Sequence, residues 1–220
     1  MNASHVLRPV RLAAVLAACG ALSLTGCGKT ISISDNGTKT SPAPATSAAA
    51  PTQTDQTGQG AAEQAGGNNT LEVVDKTAGE AGRTGTGGTV VGSAPQPSPP
   101  KWQQLSAVTS APLTGPHLIN INQAALYRFD ADEPNKSNCV DACVDAWPPV
   151  TVVEGGSVYL AGVNPKQVGA IRRPDGQIQL TIGTHPIYRY AGDAKPGELN
   201  GQGIGNAWFA VSQTGEKVTR

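Results

Sequence analysis

Four cysteines and three histidines hold most of the reactive chemistry of this 220-residue chain. Cys139 and Cys143 form a CxxxC pair. On a helix that spacing is one turn, within reach of a disulfide. Three chemistries fit it: a structural disulfide, a redox-active pair, or two thiolate ligands for a metal. The structural disulfide is the expected one, since the chain carries an export signal and exported proteins meet an oxidising environment. Such a short closed loop contributes about 2 kcal/mol. His117 and His185 complete a nominal Cys2His2 set with Cys139 and Cys143, but the spacing is irregular. The single methionine is the initiator, which excludes a thioether-rich copper site. No cofactor is expected, with copper or haem kept as alternatives.

A second set of candidates is aromatic and acidic: Tyr127, Asp132, Trp147, Tyr188, Asp193 and Trp208. One reading makes Tyr127, Tyr188 and Trp208 a surface for a quinone, haem or carbohydrate, or a path for electrons. The other is packing. Tyr127 and Phe129 lie two apart, hence on one face of a strand, as do Tyr188 and Tyr190. Asp132 and Asp193 then cap the loops that follow by accepting backbone N–H bonds. Packing is the expected reading. Arg128 and Arg189 fall between the paired aromatics and are expected on the opposite, solvated face, where they either hold an anionic partner or keep the sheet soluble.

Enzyme signatures are missing. There is no G-x-S-x-G elbow, no H-E-x-x-H and no phosphate-binding glycine loop with a lysine. A cysteine four residues from another in an oxidising place is a poor nucleophile. No catalytic residue is expected.

The elements that must position these residues are mostly strands. Leu118 to Asn122, Ala125 to Phe129, Pro186 to Tyr190 and Ala207 to Ser212 read as strands. Gln167 to Arg173 and Gln177 to Ile182 alternate well and flank a Pro-Asp-Gly turn, a hairpin signal. Cys139 to Trp147 is the one helical candidate, and Pro148-Pro149 ends it. An internal duplication organises the rest. The segment from Leu126 matches the segment from Ile187 without a gap, every pair 61 apart: Tyr127 with Tyr188, Arg128 with Arg189, Phe129 with Tyr190, Asp132 with Asp193, Trp147 with Trp208. In that alignment Asn200 and Ile204 replace the cysteines, and the Gly-rich stretch Asn200 to Gly205 reads as a turn-forming substitute for the disulfide. The expected fold is mainly β, a small antiparallel sheet or barrel domain built from two related halves, with one short helix at the CxxxC segment.

These residues resemble a family of secreted-repeat bacterial lipoproteins with a Tyr-x4-Asp motif, whose biochemical role is unknown. The likeness runs from about Leu118 to Gln213. It is carried by Tyr127-x4-Asp132, Tyr188-x4-Asp193, the stretch Lys136 to Pro149, the turn Ile171 to Gly176, and His185 to Asp193 with the following Asn200 to Gly203. One departure is Asn122 to Ala125, where similar proteins have a Gly-containing turn. The resemblance implies export but supplies no reaction.

Export is also written at the front of the chain. Arg8 and Arg11 precede Leu12 to Leu24, a 13-residue uncharged run. That is too short for a membrane span of about 20 residues but suits a signal h-region. Leu24-Thr25-Gly26-Cys27 resembles the lipobox, in which small residues precede a cysteine that receives a diacylglycerol. Residues 1–26 are therefore expected to be removed, with Cys19 among them, leaving Cys27 as a lipid-bearing N-terminus on the outer face of a cell membrane. Acyl chains add about 0.8 kcal/mol per buried CH2 and anchor firmly in twos or threes.

From Cys27 to about Pro100 the composition is Gly, Ala, Ser, Thr and Pro with no aromatic residue. Such a chain buries too little to offset its ordering entropy and is expected to be a disordered linker. Its reach is on the order of 45 Å for about 70 residues. Leu71 to Val74 and Thr89 to Val91 are the two pieces with an apolar character that suits docking. The domain is then expected over 101–220. Without Arg8 and Arg11 the chain has 16 − 2 = 14 basic residues against 16 acidic, a net charge of −2. Nucleic acid is excluded as a partner, since it needs a concentrated basic face. The expected function is a tethered, non-enzymatic envelope module that binds a protein or cell-wall partner. The alternative is a redox or metal-handling lipoprotein using Cys139 and Cys143, with an uncharacterised envelope enzyme behind it.

Overall fold

A computed structural model describes residues 28–35 and 70–220. The signal segment, Cys27 and residues 36–69 lie outside the described residues. Eleven strands and one short helix follow in order: β1 (Lys29–Asp35), β2 (Thr70–Val74), β3 (Trp102–Val108), β4 (His117–Ile119), β5 (Tyr127–Phe129), α1 (Cys143–Ala146), β6 (Thr151–Val152), β7 (Ser157–Ala161), β8 (Val168–Arg172), β9 (Ile178–Ile182), β10 (His185–Pro186) and β11 (Trp208–Ala210). Nine of the strands form a curled mixed sheet in the order β10-β9-β8-β1-β2-β7-β3-β4, with β6 added against β9. The other two, β5 and β11, pair with each other.

The mainly-β class and the two related halves hold. The sheet is not purely antiparallel, however: β1 with β8, β2 with β7 and β3 with β7 are parallel. Those parallel neighbours come from the segment expected to be a linker and from the unread strands beside it. Lys29-Thr-Ile-Ser-Ile-Ser-Asp alternates with period two, so Ile31 and Ile33 enter the main core beside Leu71, Val73, Val158, Ala170 and Leu180. Leu71 and Val73 are 1% exposed. Ordering entropy is offset here by burial the strands could not achieve alone.

The stretch 75–100 is also built in. Gly87 lies over the Trp102 indole so closely that a Cβ there would stand 2.5 Å from a ring carbon. The buried Thr89 hydroxyl bonds to Gln103 at 3.2 Å. The described parts of 28–100 are therefore domain, and the boundary expected at 101 is not one.

One local expectation needs correction. The helix expected over Cys139 to Trp147 shrinks to α1, because Asp141 adopts a left-handed φ of 51° that α-helix does not accept. The two hairpins also differ by one residue. Gly183 and Thr184 both have positive φ, as a two-residue hairpin turn requires. In the first half, Asn120 to Ala124 is longer and has no glycine. The Asn120 side chain organises it by accepting from Asn122 N at 2.9 Å and Ala124 N at 3.0 Å, with Gln123 at φ 62°.

If β1 belongs to the core, Ile33→Ala lowers unfolding stability by roughly 2–4 kcal/mol. Urea denaturation of the mature chain measures this; a midpoint unchanged from the parent would return residues 28–35 to linker status.

Candidate functional site

The candidate residues meet where the two halves cross. Tyr127 N donates to Tyr188 O at 2.8 Å, and Tyr188 N donates to Tyr127 O at 2.9 Å. Around that pair each contact has its counterpart with the halves exchanged. Asp130 N bonds Ala207 O, and Ala191 N bonds Ala146 O; Val211 N bonds Leu126 O, and Val150 N bonds Ile187 O. The halves are thus related by a local two-fold, and around the two tyrosines the backbone ladder runs between them.

The side chains follow the same rule. Tyr127 Oη donates to Asp193 Oδ2 at 2.6 Å, and Tyr188 Oη donates to Asp132 Oδ2 at 2.8 Å. Each tyrosine serves the aspartate of the other half. The second oxygen of each carboxylate caps its own loop, as expected: Asp132 Oδ1 accepts from Asn138 N at 2.7 Å and Asp193 Oδ1 from Asn200 N at 2.8 Å. Both tyrosines are fully buried. Burial holds both phenols well above the usual tyrosine range. Burial also raises the Asp193 carboxyl and pushes Asp132 from 3.8 up to about 6, against the opposing pull of Asn138 N–H, Tyr188 Oη and the Arg173 charge.

Between the tyrosines stands a column of four rings. Trp147 and Trp208 stack face to face at 3.8 Å with an interplanar angle of 1°. Phe129 closes the Trp208 side at 4.2 Å, and Tyr190 the Trp147 side at 4.5 Å. Tyr127 meets Trp147 edge-on at 5.5 Å, and Tyr188 meets Trp208 edge-on at 5.1 Å. Column members alternate between the halves, so this core exists only when both are present.

The halves differ at the cysteines. Cys139 and Cys143 are joined in a disulfide, with Cα atoms 5.3 Å apart. They present no thiolate to a metal in this state. The gapless alignment slips here, because Asn138 and Asn200 make matching bonds from their backbone and side-chain amides, and 200 − 138 = 62 rather than 61. Cys139 therefore corresponds to Gly201, not Asn200. A Cβ on Gly201 would lie 2.8 Å from the Tyr127 ring and 2.9 Å from Trp147. The first half fills this corner with sulfur; the second leaves it to the rings.

His117 and His185 do not join the cysteines, and among the described residues no three metal-ligating side chains converge. Burial lowers the pKa of both imidazoles, helped at His185 by Arg128. The arginines are not free surface cations. Arg189 is 5% exposed and donates to Gly92 O at 3.1 Å and Ala94 O at 3.5 Å, clasping the segment ahead of Pro95. Arg128 donates to Gly215 O at 2.9 Å and lies 3.4 Å from Asp130.

Sequence reasoning missed one group. The Arg173 guanidinium is buried and donates to Ser137 Oγ at 2.7 Å, Gln179 Oε1 at 2.8 Å and Cys139 O at 2.9 Å. Ser137 Oγ in turn shares a 2.8 Å bond with Tyr188 Oη. Arg173 lies in the Arg-Pro-Asp-Gly turn, where it looks like surface. The period-two pattern through β8 was the available signal, since it assigns residues 171 and 173 to one face.

The profile of a family described as a secreted repeat of unknown function matches the chain twice, at residues 108–151 and 169–212. Both matched segments are similar to this secreted repeat. They coincide with the halves related by the local two-fold, so the secreted repeat is here a structural half rather than a free-standing unit. No curated protein and no solved structure matches the chain.

Two predictions test this centre. Tyr127→Phe and Asp193→Asn each destabilise, and a double-mutant cycle in guanidinium chloride gives a coupling of about 1–2 kcal/mol; strictly additive losses would show that the bond carries nothing. The second concerns pH. Asp132 prefers its proton in the folded state, so its contribution is fully present below about pH 4 and is lost as pH rises through about 6, up to ~3 kcal/mol. Chemical denaturation across pH 4–7 should show that loss, and Asp132→Asn should flatten it.

Proposed function

We propose that this secreted-repeat chain is a lipoprotein anchored through Cys27, and that its domain is a binding module of the cell envelope rather than an enzyme. The observation that carries this reading is the inward use of the shared motif. Tyr127, Tyr188, Asp132 and Asp193 spend their polar atoms on each other and on loop backbone. A nucleophile or acid–base pair must reach substrate; these residues face a ring column instead. Recognition then falls to the outer surface, and the partner is an envelope protein or a cell-wall component.

Anchoring is supported by the lipobox-like run before Cys27 and by the lipoprotein character of the family. Among the described residues no helix is long and apolar enough to cross a membrane. The redox alternative draws on one observation, the packing of buried Cys139 against the aromatic cluster. Its short loop fits a structural staple better.

Growth with a labelled fatty acid tests the anchor: incorporation is expected in the parent and absent in Cys27→Ala. Label retained by that variant would refute lipidation at this cysteine. Cross-linking in intact envelopes should then recover a discrete partner with the parent chain.

A further inference from the structure

Gly28 alone separates Cys27 from β1. β1 lies in the interior of the sheet, bonded antiparallel to β2 and parallel to β8. We propose that the end of the sheet where β1 begins is a membrane-apposed face, seated on the phospholipid headgroups of the bilayer that holds the lipid on Cys27. This rests on the reading of Cys27 as the lipidated residue.

Reach decides it. Two residues of extended chain span at most about 7 Å, comparable to the headgroup region on one side of a bilayer, about 5–7 Å deep. The strand cannot peel away to lengthen that tether, because Ile31 and Ile33 are buried in the core that joins β2 to β8. A domain so attached has no freedom to stand off, and the sheet end beside Gly28 is the part that meets the lipid.

Topology identifies the residues there. β2 runs antiparallel to β1 and so ends beside its start, where Asp75 and Lys76 follow. β7 and β3 run parallel to β2 and end on the same side. An open cleft of about 510 Å³ lies at this end, lined by Gly28, Glu72, Asp75, Lys76, Arg83 and Tyr159 among others. Arg83 Nε donates to Tyr159 Oη at 2.6 Å, and its guanidinium sits 5.8 Å from the centre of the Tyr159 ring. Lys29, Lys76 and Arg83 offer cations to lipid phosphates, balanced by Glu72, Asp75 and Glu80. Tyr159 itself is buried, so it holds Arg83 from beneath while the exposed Lys29, Lys76 and Arg83 meet the headgroups. The far end carries the turn after β8, since Asp35 pairs with Arg172. The seven residues of β1 put about 23 Å between the two ends.

Single cysteines report the orientation. In the mature lipidated protein, from which Cys19 is removed with the signal, no other thiol is free: Cys27 carries lipid, and Cys139 and Cys143 are joined. Gly79→Cys lies in the turn beside the cleft, where an added Cβ meets nothing within 4 Å. Gln177→Cys lies in the far turn and is exposed. Each is labelled with an environment-sensitive fluorophore and reconstituted into phosphatidylethanolamine–phosphatidylglycerol vesicles containing a headgroup spin-label quencher. Quenching at position 79 is expected to exceed that at 177 by about fivefold, since the sites are separated by roughly the length of β1. A flexible Gly-Ser insertion between Gly28 and Lys29 should reduce that ratio toward one while leaving the protein on the vesicles. Equal quenching at both sites in protein that floats with vesicles would overturn the orientation and leave the anchor standing. Protein that fails to float overturns the anchor reading, and the orientation with it.

Discussion

Two carboxylates sit where water reaches them poorly, and each is held by a tyrosine from the other half of the domain. Burying a charge is costly unless it is hydrogen-bonded. Asp132 and Asp193 meet that demand with one tyrosine hydroxyl and one backbone N–H each. Neither half can supply both partners from its own residues. The position of the ring column, the close approach of the Tyr127 and Tyr188 backbones, and the path of the loops after each aspartate all depend on this exchange.

Around that centre the halves have diverged in what they use to close the same corner. The first has a disulfide and a left-handed Asp141, and it receives from the second half the buried Arg173, bonded to Ser137 and Cys139 O. The second has Gly201, which alone fits beneath the Tyr127 and Trp147 rings, and a tight turn of left-handed Gly203 and Gly205. The covalent link and the guanidinium both act on one side only. The symmetric elements hold the halves together, and the asymmetric ones set the shape of each outer loop.

Much of this centre was legible from spacing. The 61-residue offset aligned every ring of the column, and period-two alternation put Tyr127 with Phe129 and Tyr188 with Tyr190. The same alternation correctly turned Arg128 and Arg189 away from the rings. It could not tell whether that other side faces water, because what covers it comes from distant chain: Gly92 and Ala94 for Arg189, Gly215 for Arg128. The swap of partners was hidden for a related reason, since a repeat in sequence does not say whether its contacts are made inside a copy or between copies. β1 was overlooked although Ile31 and Ile33 alternate plainly. Two isoleucines in a low-complexity setting bury nothing by themselves; they become a strand only because β2 and β8 offer a gap to fill.

The crossing contacts have an ancestral implication. A surface in which each residue meets its own counterpart's neighbour, in both directions, is the hallmark of an isologous dimer. Here that dimer is written in one polypeptide. A chain carrying a single copy of this repeat would have an orphaned tyrosine, an orphaned aspartate and half a stack of rings, and it would complete them by pairing with itself. Within one polypeptide that pairing has no concentration dependence. The two copies are also free to differ, and here one holds a disulfide and the other a glycine.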